Sequence, residues 1–440
     1  MMARYDRIAR LPTPTREDAF PCWAAVGDLE GRERDPALGR RALVRFLALR
    51  PLDRRLRHAH SPPDAASLSQ QVAAADREMG PLPTDDPERL LLEDLLDGIP
   101  AAPFHELAAP ALAVAERIEA CGQHRAAEEF HRAAAGLART HNPAGEVRGL
   151  LGAARARAGL GDTATAHALC QEAAAVAEHA RDLDAWGVAL VTRAGLTRDA
   201  GVARALLDDI VRNGESADAP NLRGIGAAGI CLLLLGHRPD GFPAVRPAPP
   251  RDMAGGLEAG LAALHLSSPD APHRIPTLLA MGLALLECDL AEAADACLVA
   301  VLSRRTEPRP RPDQQARAEA ARVLATVSGG APLPDAGEYR LPLLDGPDPL
   351  LTGHLHLELG HVALRAGGTD RAREHLRDAL AVARDSALDS VLLQADSLLD
   401  ALERAADHAA RSVALTRTEP VVRIADHTLQ LLEREAVNAR

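Results

Sequence analysis

The stretch Leu359–Ala379 reads LGHVALRAGGTDRAREHLRDA. Its second half places Ala372, Leu376 and Ala379 at i, i+4 and i+7, a spacing that aligns them on one face of an α-helix. The small side chains let a second helix approach closely, and the larger leucine fills the groove between the two helices. Because Gly367 separates this helix from the apolar residues before it, the stretch predicts two helices joined by a glycine turn.

The same small–large–small triplet occurs at several other places in the chain. The other triplets are Ala126, Phe130, Ala133; Ala166, Cys170, Ala173; and Ala293, Cys297, Ala300. Glycines seven residues apart recur as well, as Gly152–Gly159, Gly229–Gly236 and Gly360–Gly367. Gly152 and Gly229 are 77 residues apart, which corresponds to two units of 38 or 39 residues. Self-similarity at such a period indicates a helical repeat array.

Leu359-Gly360, Gly367 and the triplet of Ala372, Leu376 and Ala379 together resemble the signature of the tetratricopeptide repeat (TPR) family, and Cys121–Ala133 is similar to its second helix. The resemblance implies an all-α protein, an α-solenoid of antiparallel helix pairs arranged as a TPR-like superhelix. The period of 38 to 40 residues in this chain exceeds the usual ~34. The signature tryptophan and tyrosine of the first helix are mostly missing, so the pattern is that of a long-helix variant.

Repeat-like sequence covers residues 101–410. Proline-rich insertions interrupt it near 237–252, 307–313 and 329–349. Residues 1–100 do not follow the repeat and predict a non-repeat helical N-terminal cap, while residues 411–440 predict a C-terminal capping helix, since the ends of a solenoid must cover an exposed apolar face. The helices predicted in the cap are Arg16–Glu30, Asp35–His58, Ala65–Met79 and Asp86–Leu96.

Gly224–Gly229 reads GIGAAG, which matches the G-x-G-x-x-G fingerprint of dinucleotide-binding turns. That fingerprint binds a dinucleotide only between a strand and a helix, and no run of β-branched residues precedes it here. We therefore interpret these glycines as helix-packing positions. Gly229 would be the first-helix glycine of a repeat and Gly236 its turn glycine, with Gly224 and Gly226 in or just before the first helical turn. No cofactor is expected.

Composition excludes several kinds of chemistry. All 50 basic residues are arginine, so Walker A, Schiff-base and protein-kinase lysines are ruled out; this usage is typical of a GC-rich genome, and we expect a bacterial protein. The net charge of −12 and the aromatic content of 2% argue against general nucleic-acid binding. The six cysteines form no CxxC pair, and no apolar run is long enough to span a membrane. We expect buried, reduced thiols and a cytoplasmic location.

Histidines are the natural candidates for a metal site, and His354, His356 and His361 fall in one segment. On a helix, His354 and His361 share a face and His356 does not, so we predict structural or solvent-facing roles and no metal. The sequence contains no HExxH motif, and Gly214–Asp218 lacks the last glycine of a nucleophile elbow. No catalytic residue and no enzymatic activity are predicted.

Residues 31–60 carry nine arginines against three acidic residues. Two interpretations of this segment stay open: a surface for an acidic partner or nucleic acid, and an amphipathic helix with a solvated arginine face. The second interpretation is the simpler one. The arginines in question are Arg40, Arg41, Arg45, Arg54, Arg55 and Arg57.

The TPR resemblance implies a non-catalytic scaffold that binds another protein or a peptide in a groove lined mainly by first helices. Counted from Gly152, Gly229 and Gly360, the groove positions fall on Arg157, Arg223, Ile230, Leu233, His354, His361 and Arg365. Because arginine binds carboxylates through paired hydrogen bonds, the predicted ligand is an acidic peptide with a hydrophobic anchor. The alternative is a helical sensor whose groove binds a small molecule or signalling peptide while the N-terminal cap transmits the effect.

Overall fold

The computed structural model describes residues 36–57, 65–100, 102–139, 141–239, 251–304, 309–328, 348–386, 388–405 and 418–438. Within these ranges the chain forms eighteen α-helices and one short 3₁₀ turn, and no strand. The described chain divides into two compact units, Met1–Glu119 with Gln123–Leu169, and Ala120–Gly122 with Cys170–Arg440. The boundaries predicted at residues 100 and 411 stay predictions.

The described part of the first unit is built from six helices, of which the fourth ends one residue beyond the unit boundary at Glu119. They are α1 (Pro36–Arg57), α2 (Ala65–Met79), α3 (Pro87–Gly98), α4 (Ala108–Ala120), α5 (His124–Ala138) and α6 (Pro143–Gly159), with a 3₁₀ turn at Phe104–Leu107. α2 packs between its sequence neighbours, α6 packs on α5, and α1 also packs on α5. Phe46 and Phe130 lie in the resulting core with a set of leucines and alanines. The predicted helix Arg16–Glu30 lies outside the described residues.

The second unit follows α7 (Thr163–His179), which spans the division between the units. Its helices are α8 (Leu183–Leu196), α9 (Ala200–Ser216), α10 (Pro220–Leu234), α11 (Met253–Leu266), α12 (Arg274–Glu287), α13 (Ala291–Leu302), α14 (Pro312–Ser328), α15 (Pro349–Arg365), α16 (Thr369–Ser386), α17 (Asp389–Ala405) and α18 (Glu419–Asn438). From α8 to α17 each helix packs on the next one in the chain. This serial packing confirms the predicted all-α, solenoid-type fold class.

Several helix starts in both units are stabilised by side-chain capping. Asp86, Asn142, Asp182, Asp199 and Asp348 each precede a helix and accept hydrogen bonds from its first free backbone N–H groups, which otherwise have no partner within the helix. Proline at the first helical position of several helices costs nothing, because its missing N–H would be unpaired there anyway.

Gly236 and Gly367, the two predicted turn glycines, are left-handed in the structure. Gly236 has φ +83° and Gly367 has φ +78°, a conformation that side chains with a Cβ rarely adopt. After α6 the left-handed residue is Gly161, with φ +85°, whereas Gly159 still belongs to the helix and packs on His124.

The small–large–small faces are buried as the spacing predicts, except that Ala300 of the fourth triplet is only partly buried. Ala372, Leu376 and Ala379 on α16 are fully buried, and Leu376 lies against Gly360 of α15, where a Cβ would come within 2.9 Å of it. Ala126, Phe130 and Ala133 are buried on α5 in the same way. Close helix approach in this protein thus relies on glycine and alanine facing one large side chain.

The GIGAAG segment lies inside α10, with no strand before it in the described chain. A Cβ on Gly229 would meet Leu207 of α9 at 2.5 Å, and one on Gly226 would meet Val211 at 2.8 Å. Gly224 faces Ser267 at the end of α11. Because α10 begins at Pro220, Gly224 and Gly226 lie beyond the first helical turn where we had expected them, but all three glycines face neighbouring helices.

Helices predicted at the two ends of the chain are present with small shifts. Asp35–His58 is observed as Pro36–Arg57 and Asp86–Leu96 as Pro87–Gly98, while Ala65–Met79 has the predicted bounds. The helix predicted within residues 411–440 is α18, which packs on α11 and α13, and its capping role stays a prediction. The proline-rich insertions near 237–252 and 329–349 lie largely outside the described residues, whereas residues 309–313 of the remaining one are described and α14 begins at Pro312. Among the helices that are described, none is long and apolar enough to cross a membrane.

Candidate functional site

The seven predicted groove residues are divided between the two compact units. Arg157 lies on α6 in the first unit, where its Nε donates to Glu128 Oε1 at 2.7 Å. The other six residues belong to the second unit. His361 and Arg365 line a cavity there, and the remaining predicted residues do not line it.

The predicted apolar centre of the groove is part of the helix core. Ile230 and Leu233 on α10 are each more than 90% buried and belong to a cluster with Leu207. Arg223, on the same helix, is half-buried, and its stem lies close to Gly214 of α9. These residues hold α9 and α10 together.

A cavity of about 220 Å³ lies where five elements of the second unit meet. Its floor is apolar and combines residues at the end of α10 and the start of α11 with residues from α12, α14 and α15. The apolar lining residues are Leu235, Met253, Leu283, Ala284, Ala320, Ala321, Leu324 and Val362. An apolar floor with a few convergent polar groups is the usual composition of a ligand pocket.

The polar rim of the cavity contains three arginines, two glutamates and two histidines. Arg251 Nη1 donates to Glu287 Oε2 at 2.6 Å, and Arg365 Nη2 lies 3.7 Å from Glu287 Oε1. Arg317 Nε donates to Glu358 Oε1 at 3.1 Å. With neutral histidines, these five charged groups sum to one positive charge.

Of the three arginines of the rim, Arg365 has the longest ion-pair distance to its carboxylate partner. Its side chain is half exposed, and its 3.7 Å approach to Glu287 is longer than a hydrogen bond. Glu287 is already bound to Arg251 at hydrogen-bonding distance. Arg365 can therefore turn toward an incoming anion without breaking a hydrogen bond to Glu287.

The arginines of the rim also lower the pKa values of the neighbouring His237 and Glu358. Burial together with the positive charges of Arg317 and Arg251 lowers the pKa of His237 to about 4. Burial by itself would raise the pKa of Glu358, but Arg317 outweighs it and holds that pKa below its ordinary value. At neutral pH the rim thus presents a neutral His237 beside three arginines and two carboxylates.

His354 and His356, the other two histidines of the predicted segment, lie apart from the cavity lining. His354 is 7% exposed, and burial lowers its pKa. His356 faces α16, where its Nδ1 lies 3.4 Å from Nδ1 of His375. His356 therefore lies on a different face of α15 from His354 and His361, as the helical spacing predicts.

Five rim residues were missed from the sequence: His237, Arg251, Glu287, Arg317 and Glu358. A signal existed for one of them, because Glu358, His361 and Arg365 recur at i, i+3 and i+7 on α15 and so share one face. The others come from four separate elements, and their convergence depends on how those elements pack.

The arginine-rich helix α1 of the first unit makes internal ion pairs. Arg45 is buried and donates from Nε and Nη2 to the two oxygens of Glu88, each at 2.6 Å. Arg41 bonds Asp86 at the start of α3, and Arg55 donates to the carbonyl of Ala102 at 2.6 Å. The side chains of Arg40 and Arg57 lie outside the described residues.

The sequence matches no protein-family model, and no curated protein is significantly similar to it. Within the described residues, the cavity of the second unit is the place where charged side chains from several helices converge over an apolar floor. That arrangement is suited to binding an anionic group attached to an apolar one.

Proposed function

We propose that this chain is a non-catalytic helical-repeat scaffold that binds a segment of another protein through the cavity of its second unit. The observation that carries the proposal is the polar rim, in which Arg251, Arg317 and Arg365 surround an apolar floor. The TPR-like spacing of Leu359–Ala379 supports the same class of function, because such repeats commonly present binding surfaces built from consecutive helices.

The ligand that fits this chemistry is an acidic peptide with one hydrophobic side chain. A carboxylate would accept paired hydrogen bonds from the Arg365 guanidinium, which has the planar geometry for it. The hydrophobic side chain would cover the floor formed by Leu283, Leu324 and Val362. Since Glu287 and Glu358 already neutralise two of the three arginines, the cavity accepts one negative charge more readily than several.

The small volume of the cavity favours a second candidate function, a sensor for a small molecule. Drug-sized ligands occupy pockets of roughly 300–1,000 Å³, and a cavity of about 220 Å³ holds one acidic side chain or one small carboxylic acid. A helical sensor for a small apolar carboxylate would use the same rim and floor.

The test is fluorescence anisotropy with labelled seven-residue peptides that carry Asp or Glu around one Leu or Phe. Matched peptides with Asn and Gln in place of the acids serve as the comparison. We expect the full-length protein to bind the acidic set, with affinity falling as salt rises because the contact is between charges. Saturable binding of hexanoate without binding of either peptide set would favour the sensor.

Reversing the charge of Arg365 tests whether the peptide binds in the cavity. Arg365→Glu should weaken peptide binding at least tenfold, equivalent to about 1.4 kcal/mol, because it removes the most accessible cation of the rim. Arg212→Glu is the matched control, since Arg212 is an exposed arginine on α9 of the same unit and does not line the cavity. Equal binding by the wild type and Arg365→Glu would show that the peptide binds elsewhere.

A further inference from the structure

Two histidines and one aspartate meet between α15 and α16, away from the cavity rim. His356 comes from α15, and His375 and Asp378 come from α16. His375 and Asp378 are three residues apart, so they lie on the same face of α16. One ligand atom from each of the three side chains lies within 4.8 Å of the other two.

The spacing of these atoms matches a tetrahedral metal site. Nδ1 of His356 lies 3.4 Å from Nδ1 of His375. Zinc–nitrogen bonds of about 2.0–2.1 Å place two tetrahedral ligands about 3.3 Å apart. Oδ2 of Asp378 lies 3.8 Å from Nδ1 of His356, and the Asp378 side chain is half exposed, so a small rotation of that carboxylate completes the third ligand position.

The Nδ1 atoms of His356 and His375 face each other. One neutral ring can donate its Nδ1–H to the Nδ1 of the other, and a cation bound between the two nitrogens would take the place of that proton.

We propose that His356, His375 and Asp378 bind one Zn²⁺ ion between α15 and α16, with the fourth coordination position open to water. Two imidazole nitrogens and one carboxylate form a borderline donor set, which suits Zn²⁺ better than Mg²⁺ or Ca²⁺, the ions that prefer all-oxygen sites. The partial exposure of Asp378 provides access for the ion and for the water. This site is independent of the proposed peptide cavity and departs from the expectation of no metal.

The ion would hold together the same two helices that Gly360 and Leu376 bring into contact. A metal that binds only the folded state stabilises it by mass action. The expected consequence is a higher melting temperature of the second unit in the presence of Zn²⁺.

The experiment measures Zn²⁺ binding to the full-length chain after it has been stripped with EDTA and kept reduced. Competition with a chromogenic chelator gives the stoichiometry and affinity, and we expect one ion per chain. His356→Asn and Asp378→Asn should each weaken binding at least about tenfold, since even the loss of a group that only orients a ligand has an effect of this size. Asp385→Asn, an exposed aspartate on α16 two turns beyond Asp378, is the matched control and should bind like the wild type.

A second readout separates these ligands from the cysteines. Co²⁺ in the site should give the visible spectrum of a tetrahedral complex without a thiolate-to-metal charge-transfer band. That spectrum should be absent from Asp378→Asn even if circular dichroism shows that the variant is fully helical. Stoichiometric binding that is the same in the wild type, His356→Asn and Asp378→Asn would overturn the proposal, as would the absence of binding to the wild type at micromolar Zn²⁺.

Discussion

Arg274 donates two hydrogen bonds from Nη2 to Glu435, one to each carboxylate oxygen at 2.7 Å, and so joins residues 161 positions apart in the chain. The arginine is 2% exposed, and its Nη1 donates to the carbonyls of Leu264 and Ser267. The pair fastens the C-terminal helix α18 to the start of α12, beside an apolar contact that includes Val421 and Ile424. The C-terminal helix is thus attached by a partly buried ion pair, in which Glu435 is 29% exposed, as well as by its apolar face.

Removing Glu435 should loosen α18. Glu435→Ala leaves the buried Arg274 with carbonyl acceptors but without its counter-charge, and breaking such a pair costs about 3 kcal/mol. Calorimetry of the second unit should show a lower melting temperature, and hydrogen exchange should be fastest in residues 418–438. Glu433→Ala, an exposed change on the same helix, should shift stability by less than about 0.5 kcal/mol. Equal effects of the two changes would contradict the role of the pair.

Replacing a helix glycine by alanine should lower stability where the added Cβ would meet backbone atoms of the neighbouring helix. A Cβ on Gly149 of α6 would lie 2.7 Å from the backbone nitrogen of Ala135 and 2.8 Å from the His131 carbonyl, so Gly149→Ala must push α5 and α6 apart at a cost of about 1–3 kcal/mol. A Cβ on Gly282 would meet only the end of Leu298 at 3.1 Å and the Ala294 carbonyl at 3.4 Å. Gly282→Ala should be close to neutral because alanine favours the helix by up to about 1 kcal/mol. Urea or thermal unfolding of both variants tests this order, and the reverse order would disprove it.

Stability of the first unit should depend on the protonation of Glu129. Burial, with Glu128 and Asp53 adding to it and Arg132 and Arg157 opposing it, raises the pKa of Glu129 to about 8, and its Oε2 lacks a hydrogen-bond partner. The folded state therefore holds a proton that the unfolded chain releases near pH 4.5. The contribution of Glu129 to stability is fully present below that pH and is lost as pH rises toward 8.

Glu129→Gln removes this dependence. At pH 8 the variant should be more stable than the wild type by about 1–3 kcal/mol, the usual cost of an unsatisfied buried polar group, and at pH 5 the two should be closer. Melting curves at pH 5, 6.5 and 8 measure the difference. A variant less stable than the wild type at pH 8 would show that Glu129 is ionised and paired in the fold.

The pKa of His237 should report on the charge of the cavity rim. Arg251 is one of the two cations that help burial to lower this pKa to about 4. Arg251→Gln removes that cation and leaves Glu287 beside the cavity, so the pKa of His237 should rise while burial keeps it below the ordinary 6.5. Histidine NMR titration, with His237→Asn to assign the resonance, measures the shift. An unchanged or lower pKa would mean that Arg251 does not act on His237.

The helices and their packing faces could be predicted from the sequence because both depend on local spacing. Ala372, Leu376 and Ala379 are buried as their periodicity requires, and Ala65–Met79 has the predicted bounds. The absence of a preceding β-branched run was enough to interpret GIGAAG as part of a helix. The turn after α6 lies at Gly161, and the sequence did not distinguish it from the nearby Gly159 because both glycines carry the same local signal.

The cavity and the cluster of His356, His375 and Asp378 depend on tertiary structure. Arg251, Glu287 and Arg317 lie on or beside three different helices, and their convergence follows from crossing angles and axial offsets that no single helix encodes. His375 and Asp378 share a face of α16 by sequence, yet only the packing of α15 places His356 opposite them. Helical periodicity is a property of neighbouring residues, whereas a site between helices depends on how distant faces are brought together.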